Sequence, residues 1–177
     1  MKQWTNALLF GAGLSLAAST VQAKQVVCVF DLVGKNGDVY NLMQDYQLAA
    51  KNWGAEIELR VGQNEGVIAE DFKAGKCDGI SVTGMRGRQF NHFTGSLDAI
   101  GAIPDLKLAV KVMQGLASPA FAKYMRNGQY EVAGVIPVGD AFLMVNDRSI
   151  NSVAKAAGKK IAVLDYDQAQ KVMVQQI

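Results

Sequence analysis

The sequence has few of the residues on which many enzymes and metal sites depend. Its 177 residues include a single histidine, His92, three prolines and two cysteines. Two cysteines and one histidine cannot form the clusters that hold structural zinc. Neither a Gly-x-Ser-x-Gly motif nor a Gly-x-x-x-x-Gly-Lys-Ser/Thr loop is present, although these mark many hydrolases and nucleotide-binding proteins. We therefore expect a protein that is not an enzyme, with no catalytic residue, no metal and no cofactor.

The first 23 residues have the three parts of a cleavable signal peptide. Lys2 supplies a positive start, residues 7–18 form an apolar run, and Val21-Gln22-Ala23 gives the small-residue pattern of a cleavage site. The apolar run is too short for a membrane span, which needs about 20 residues. We predict export to the periplasm and no membrane span in the mature chain; the alternative is an N-terminal core helix.

Charge is sparse and balanced. The sequence has 18 basic and 16 acidic residues, and residues 1–23 hold one of the basic residues and none of the acidic ones. The remaining 154 residues therefore carry 17 basic and 16 acidic side chains, a net charge of +1. Nucleic-acid binding requires a clustered basic face, so the composition does not support a nucleic-acid partner. The length is sufficient for one domain with its own core.

Strand and helix patterns alternate from Lys24 onward. Residues 25–33 are rich in valine, as in a strand buried on both faces, and residues 38–53 place apolar side chains on one helical face. Residues 57–61, 65–74 and 78–83 then read as strand, helix and strand. This βαβαβ order predicts an α/β fold with a parallel sheet of order 2-1-3 and right-handed crossovers.

The rest of the sequence is less regular. We predict further strands at residues 98–103, 131–136, 141–145 and 160–164, and helices that begin after Asp105, Ser118 and Asp167. The last helix has no end signal before the final residue, and its Val172, Val174 and Ile177 are apolar, so we expect the sequence to be part of a longer protein. The predicted organisation is a signal peptide at 1–23, a first α/β lobe at 24–140, and a crossover with the start of an incomplete second lobe at 141–177.

The two cysteines fall on predicted neighbours. Cys28 lies in the first strand and Cys77 directly before the third, and these strands are adjacent in a sheet of order 2-1-3. An oxidising compartment permits a disulfide between them. The alternative is two buried thiols that act as small apolar side chains.

Polar residues that follow the predicted strands are the candidate ligand-binding residues. Ligands of open α/β sheets bind outside the carboxyl ends of the strands. The aspartates favour a cationic or polar ligand and the arginines favour an anion, although each residue has the alternative of a solvated loop charge or a helix cap. The candidates are Asp31, Asp38, Ser81, Thr83, Arg86, Arg88, Asp165 and Tyr166.

Two segments resemble periplasmic solute-binding proteins. Residues 72–79, Phe-Lys-Ala-Gly-Lys-Cys-Asp-Gly, resemble the turn that leads into the third strand of these proteins. Residues 150–163, Ile-Asn-Ser-Val-Ala-Lys-Ala-Ala-Gly-Lys-Lys-Ile-Ala-Val, are similar to the entry into the second lobe of the TRAP-type (DctP-like) group. The chain also resembles an AdeT-like subgroup described as components of RND-type efflux linked to aminoglycoside resistance.

This resemblance implies a fold and a role. The fold would be a periplasmic-binding-protein-like (type II) lobe followed by a truncated second lobe. The role would be capture of a small polar solute for an inner-membrane transporter, with an accessory role in an RND-type efflux complex as the alternative and an exported enzyme as a weaker one. TRAP-type proteins usually have an arginine after the Gly-Lys-Lys turn that pairs with a substrate carboxylate, and this sequence has Ala162 there. Alanine cannot form that bidentate pair, so the resemblance does not extend to this residue.

Overall fold

The computed structural model describes residues 24–99, 101–139 and 142–176. The predicted signal peptide lies outside these residues. The chain has a mixed α/β fold whose three parallel strands are β1 (Gln25–Phe30), β2 (Ile57–Gly62) and β3 (Gly79–Ser81), in the order β2-β1-β3. Both the βαβαβ order and the strand order 2-1-3 predicted from the sequence are confirmed.

The central strand β1 has a neighbour on each side. Cys28 lies opposite Arg60 of β2 and opposite Ile80 of β3. The next residue, Val29, has no exposed surface at all. This position explains the valine-rich sequence of β1, because a strand covered on both faces needs apolar side chains on both.

A disulfide joins Cys28 to Cys77, with 5.9 Å between the two Cα atoms. It connects the central strand to the turn that precedes β3. Ile68, in the helix between β2 and β3, packs against it, and together these residues form a buried apolar cluster. Of the two alternatives for the cysteines, the disulfide is therefore the correct one.

Two helices connect the strands of the sheet. They are α1 (Asp38–Lys51) and α2 (Glu65–Lys73). The side chain of Asn64 caps α2 by accepting a hydrogen bond from the Val67 N–H at 3.1 Å. At the start of α1 the acceptor comes instead from the end of β1, because Asp31 Oδ2 accepts the Tyr40 N–H at 3.0 Å.

Short elements follow the sheet. Asp105 caps α5 (Leu106–Leu116) by accepting the Leu108 N–H, as the sequence predicted. Asp167 caps α8 (Gln168–Gln175), which begins where the sequence predicted the last helix. A hairpin of two short antiparallel strands turns at Gly128. These elements are α3 (Gly84–Gly87), α4 (Thr94–Leu97), α5 (Leu106–Leu116), α6 (Ala122–Met125), β4 (Arg126–Asn127), β5 (Tyr130–Glu131), α7 (Val153–Ala156) and α8 (Gln168–Gln175), with 3₁₀ turns at Gly34–Asn36 and Pro119–Phe121.

Four of the predicted strands are wrong. Among the described residues of 98–103, 131–136, 141–145 and 160–164, only Glu131 belongs to a strand, where it pairs with Arg126. Met144 is 87% exposed, which shows that its apolar segment packs on little within the described part of the chain. A strand must pair its backbone groups with a neighbour, and a run of apolar residues alone does not supply one.

An aromatic cluster connects the hairpin to the first part of the chain. The rings of Phe72, Phe90 and Tyr130 lie within 5.0–5.6 Å of one another, centroid to centroid. Asn127 strengthens this connection by donating a hydrogen bond to the Phe90 carbonyl. Within the described residues, no helix combines the length and apolarity needed to cross a membrane.

Candidate functional site

A groove of about 290 Å³ lies where α3 meets the start of α8. Because α3 follows β3 after only two residues, the groove is near the carboxyl end of the sheet, where ligands of open α/β sheets bind. Its lining combines two arginines with amide, phenol and carboxylate groups. The lining residues are Met85, Arg86, Arg88, Gln89, Tyr166, Asp167, Gln168 and Ala169.

Glu65 lies behind this groove and is buried, with 7% of its surface exposed. It is the first residue of α2. Its Oε1 accepts the Thr83 N–H at 2.6 Å, and its Oε2 accepts the Tyr166 hydroxyl at 2.9 Å. Tyr166 is 101 residues further along the chain, so this carboxylate holds the start of α8 against the sheet.

Arg86 forms the floor of the groove. The carbon of its guanidinium group lies 3.6 Å from the centroid of the Tyr166 ring, within the range of a cation–π interaction. Its Nε lies 3.6 Å from Glu65 Oε2. This Nε is buried and has no hydrogen-bond partner among the residues that the structure describes. Arg86 is therefore held by charge and stacking, and one of its donors remains unsatisfied.

Arg88 and Asp167 form the second ion pair of the groove. Their atoms Nη1 and Oδ1 are 3.6 Å apart, which is longer than a hydrogen bond. Asp167 Oδ1 accepts the Ala169 and Gln170 N–H groups at 3.0 and 3.3 Å, as the cap of α8. The Arg88 side chain is 41% exposed, so its remaining N–H groups are accessible to a solute.

Gly95 provides space for Arg88. A Cβ atom at position 95 would overlap the Arg88 side chain at its Cγ and Cδ atoms. Any larger residue at this position would therefore displace the guanidinium group. The position of Arg88 in the groove depends on a residue with no side chain of its own.

The Tyr166 phenol remains protonated in this environment. Burial raises the pKa of Tyr166 above its ordinary value of 10.0, and the hydrogen bond to Glu65 raises it further. At neutral pH the hydroxyl is therefore a hydrogen-bond donor to Glu65. A hydrogen bond with the Thr83 side chain opposes this rise in the pKa of Tyr166 without reversing it.

The structure brings together half of the residues that the sequence singled out. Arg86, Arg88 and Tyr166 line the groove, and Thr83 contacts Glu65 directly behind it. The remaining four lie outside the lining. Ser81 ends β3; Asp31 and Asp38 lie at the start of α1; and Asp165 is exposed, with its backbone carbonyl accepting the Lys171 ammonium.

Asp31 is engaged by its own backbone surroundings. Besides the Tyr40 N–H, its carboxylate accepts the Val33 N–H at 2.9 Å. These two donors, that of Tyr40 first, lower the pKa of Asp31 below its ordinary value of 3.8. A Cβ atom on Gly37 would overlap this carboxylate. Asp31 therefore stabilises the turn that starts α1.

Sequence reasoning did not select Glu65, Gln89 or Gln168. Glu65 could have been found, because it comes three residues after the end of β2 and the carboxyl-end rule applies to that strand as well. Gln89 and Gln168 carry no comparable signal, since an amide in a turn or first helical position is common.

A second groove, of about 330 Å³, lies beside the disulfide. Its basic residues already have close partners, because Arg60 pairs with Glu58 at 2.8 Å and Lys76 with Asp71 at 2.7 Å. The described residues contain no group of three histidine, cysteine or acidic side chains that could hold a metal ion. The groove at Arg86 and Arg88 is therefore the stronger candidate for a polar solute.

Comparison with known proteins identifies relatives. A family model described as "Solute-binding protein AdeT 1/2" matches residues 47–177. The chain is 54% identical over 149 residues to "Probable solute-binding protein AdeT1" of Acinetobacter baumannii, an alignment that covers 84% of this chain and 49% of the relative. It is 35% identical over 83 residues to "Probable solute-binding protein AdeT2" of the same organism, which covers 47% of this chain and 35% of that relative.

The chain thus spans about half the length of the AdeT1 protein that it matches. No solved structure is significantly similar to it. The matched family region, residues 47–177, contains every residue that lines the groove.

Proposed function

The chain belongs to the AdeT 1/2 family of solute-binding proteins, and on that basis we propose that it captures a small polar solute in the groove at Arg86, Arg88 and Tyr166. Membership of this family supports a solute-binding role, and the names of the relatives point to a binding protein and not to an enzyme.

The observation that carries the proposal is the pair of arginines in the groove. Each faces a buried carboxylate at 3.6 Å, a distance that is too long for a hydrogen bond, and the Arg88 side chain is 41% exposed. Groups of this kind, gathered at the carboxyl end of a parallel sheet, are typical of a polar binding site. Asp31, Asp38, Ser81 and Asp165 are not needed for this site.

The wider role that we propose begins with export. The predicted signal peptide, residues 1–23, would deliver the chain to the periplasm. There a lobe of residues 24–140 and a second lobe that starts at 141–177 would close on the solute, in the manner of a type II, TRAP-type binding protein, and present it to an inner-membrane transporter. No feature of the described residues favours the alternative role in RND-type efflux.

Ligand-dependent melting tests the proposal. The chain is heated with panels of organic acids, amines, sugars and aminoglycosides. A solute at 100 times its dissociation constant should add about 2.7 kcal/mol to the free energy of unfolding. Arg88→Ala should abolish the shift, while Arg148→Ala, an exposed arginine outside the groove, should preserve it. If no compound in any panel raised the melting temperature, solute capture would be overturned. If a compound raised the melting temperature of Arg88→Ala as much as that of the unaltered chain, the groove would not be the site.

A further inference from the structure

The charges of the groove are already balanced by the protein itself. Arg86 faces Glu65 and Arg88 faces Asp167, each at 3.6 Å. Both carboxylates are buried, so bulk water screens them weakly. The other lining side chains carry no charge, because Tyr166 is held in its neutral form. These two ion pairs thus contribute two positive and two negative charges. A further acid lies beside them, because Asp98 accepts the Met85 N–H and is close enough to Glu65 for their charges to interact.

The hydrogen bonds of the groove are distributed differently from its charges. Glu65 uses one oxygen for the Thr83 N–H and the other for the Tyr166 hydroxyl. Asp167 uses its Oδ1 for the first N–H groups of α8. The acids neutralise the arginines from 3.6 Å without accepting hydrogen bonds from them at that distance. The guanidinium groups therefore keep donors to offer while their charge is compensated.

This arrangement discriminates between ligands by charge. An anion at the two arginines would bring a third negative charge close to two buried carboxylates. A neutral oxygen acceptor would receive the same hydrogen bonds, which are strong because the donors are charged, without this repulsion. The amides of Gln89 and Gln168 line the same groove and can accept as well as donate, so they suit hydroxyl groups that do both.

From these observations we infer that the groove selects uncharged, hydroxyl-rich solutes, of the sugar or polyol class, over organic acids and phosphate, and over amines, which its two guanidinium groups would repel. The inference rests on the proposed function and makes it specific. Hydroxyl oxygens would accept from Arg86 and Arg88, and hydroxyl hydrogens would be donated to the amide oxygens of Gln89 and Gln168.

Calorimetric titration of the whole chain tests the inference with defined probes. Ribose, glucose and myo-inositol form the neutral set, succinate and inorganic phosphate the anionic set, and putrescine the cationic one. Each is titrated at about 0.05 M and about 0.5 M sodium chloride, because salt screens charge attraction and leaves neutral hydrogen bonding nearly unchanged. A neutral probe should bind with an affinity that changes less than about twofold between the two salts.

Two variants make the test sharper. Arg88→Ala should weaken the neutral probe about tenfold or more, as expected when a charged donor is lost, while Arg148→Ala should not. Asp167→Asn keeps an oxygen that can cap α8 but removes one negative charge, so it should raise the affinity for succinate, relative to that for the neutral probe, about tenfold.

The outcomes separate this inference from the proposed function. Succinate or phosphate binding to the unaltered chain, weakened by salt and by Arg88→Ala, would overturn the neutral class and keep solute capture in the groove. Putrescine binding would do the same. If a neutral probe bound and Arg88→Ala did not weaken it, the contacts assigned to Arg88 would be wrong. If no probe of any of the three sets bound, both this inference and the proposed function would be overturned.

Discussion

The carboxylate of Glu65 accepts hydrogen bonds from donors in two different parts of the chain. The Thr83 N–H lies just after β3, and the Tyr166 hydroxyl lies just before α8. A buried carboxylate is costly without such partners. These bonds therefore explain why an acid is tolerated at 7% exposure, and they make Tyr166 a structural residue as well as a lining one.

The contribution of that hydroxyl can be measured. Tyr166→Phe removes the donor and leaves the ring that stacks on Arg86, so it should lower the free energy of unfolding by about 1.5 kcal/mol, a typical value for a hydrogen bond to a charged group. Urea denaturation of both proteins provides the comparison. Tyr46→Phe is the matched control, because Tyr46 is 49% exposed and its substitution should change the free energy of unfolding little. Equal losses in the two variants would contradict the structural role of the Tyr166 hydroxyl.

Asp31 should make the protein sensitive to acid. Backbone donors hold its pKa below 3.8 in the folded chain, so the folded state favours the ionised carboxylate. Its stabilising contribution is complete above the unfolded pKa and is lost as the pH falls through the folded pKa. Asp31→Asn should therefore be less stable than the unaltered chain at neutral pH, and this difference should shrink below pH 3.8.

Denaturation midpoints measured from neutral to acid pH check this expectation. Asp45→Asn serves as the control, because it makes the same chemical change at an exposed residue within α1. If the stability difference between Asp31→Asn and the unaltered chain stayed constant across the pH range, the backbone donors would not favour the ionised form of Asp31.

The start of α1 depends on a glycine that precedes it. Gly37 has an extended backbone, so its role is steric and not conformational: a Cβ atom there would overlap the Asp31 carboxylate that caps the helix. Gly37→Ala should displace this cap and cost about 1–2 kcal/mol of stability.

Gly115→Ala is the matched control for this substitution. Gly115 lies in α5, and a side chain added there would point into open space, so alanine should stabilise the chain by about 0.5 kcal/mol through its higher helix propensity. Thermal melting of both variants should show a lower melting temperature for Gly37→Ala and a higher one for Gly115→Ala. A neutral Gly37→Ala would mean that Asp31 does not need its present position.

The sequence predicts correctly those elements whose residue pattern is set by their own burial or by hydrogen bonds within a few residues. The run at β1 is buried on both faces, and α1 and α2 pack against the sheet that they connect. The caps at Asp105 and Asp167 are local hydrogen bonds, so the chain near each helix start is enough to indicate them. The wrong strands, such as 160–164, depend on a distant neighbour that their own residues do not specify.

The same distinction applies to the candidate site. Arg86, Arg88 and Tyr166 were predictable because they follow predicted strands, even though the strand before Tyr166 is not formed. Their pairing was not predictable, because nothing near Arg86 indicates that Glu65 and Tyr166 would meet it. Asp31 shows the opposite case, since a polar residue after a strand can serve its own turn instead of a ligand.

The disulfide is the main covalent constraint on the described part of the molecule. It joins residues 49 apart, and closing a loop of about that length should stabilise the folded chain by about 4 kcal/mol through the lost freedom of the unfolded state. Guanidinium denaturation with and without dithiothreitol measures this difference. The double variant Cys28→Ala, Cys77→Ala should have a free energy of unfolding similar to that of the reduced chain, and dithiothreitol should not change it. A reductant effect that persists in this variant would have a cause other than the disulfide.

The contact between Glu65 and Tyr166 also has a consequence for the order in which the chain folds. The parallel sheet and the disulfide need only residues up to 81, whereas the groove needs a contact that closes a loop of 101 residues. Contacts that are so distant in sequence form slowly, because the chain loses much freedom before it gains the bond. The sheet should therefore form first, and the ability to bind a solute should appear only when Tyr166 and the start of α8 have docked on Glu65.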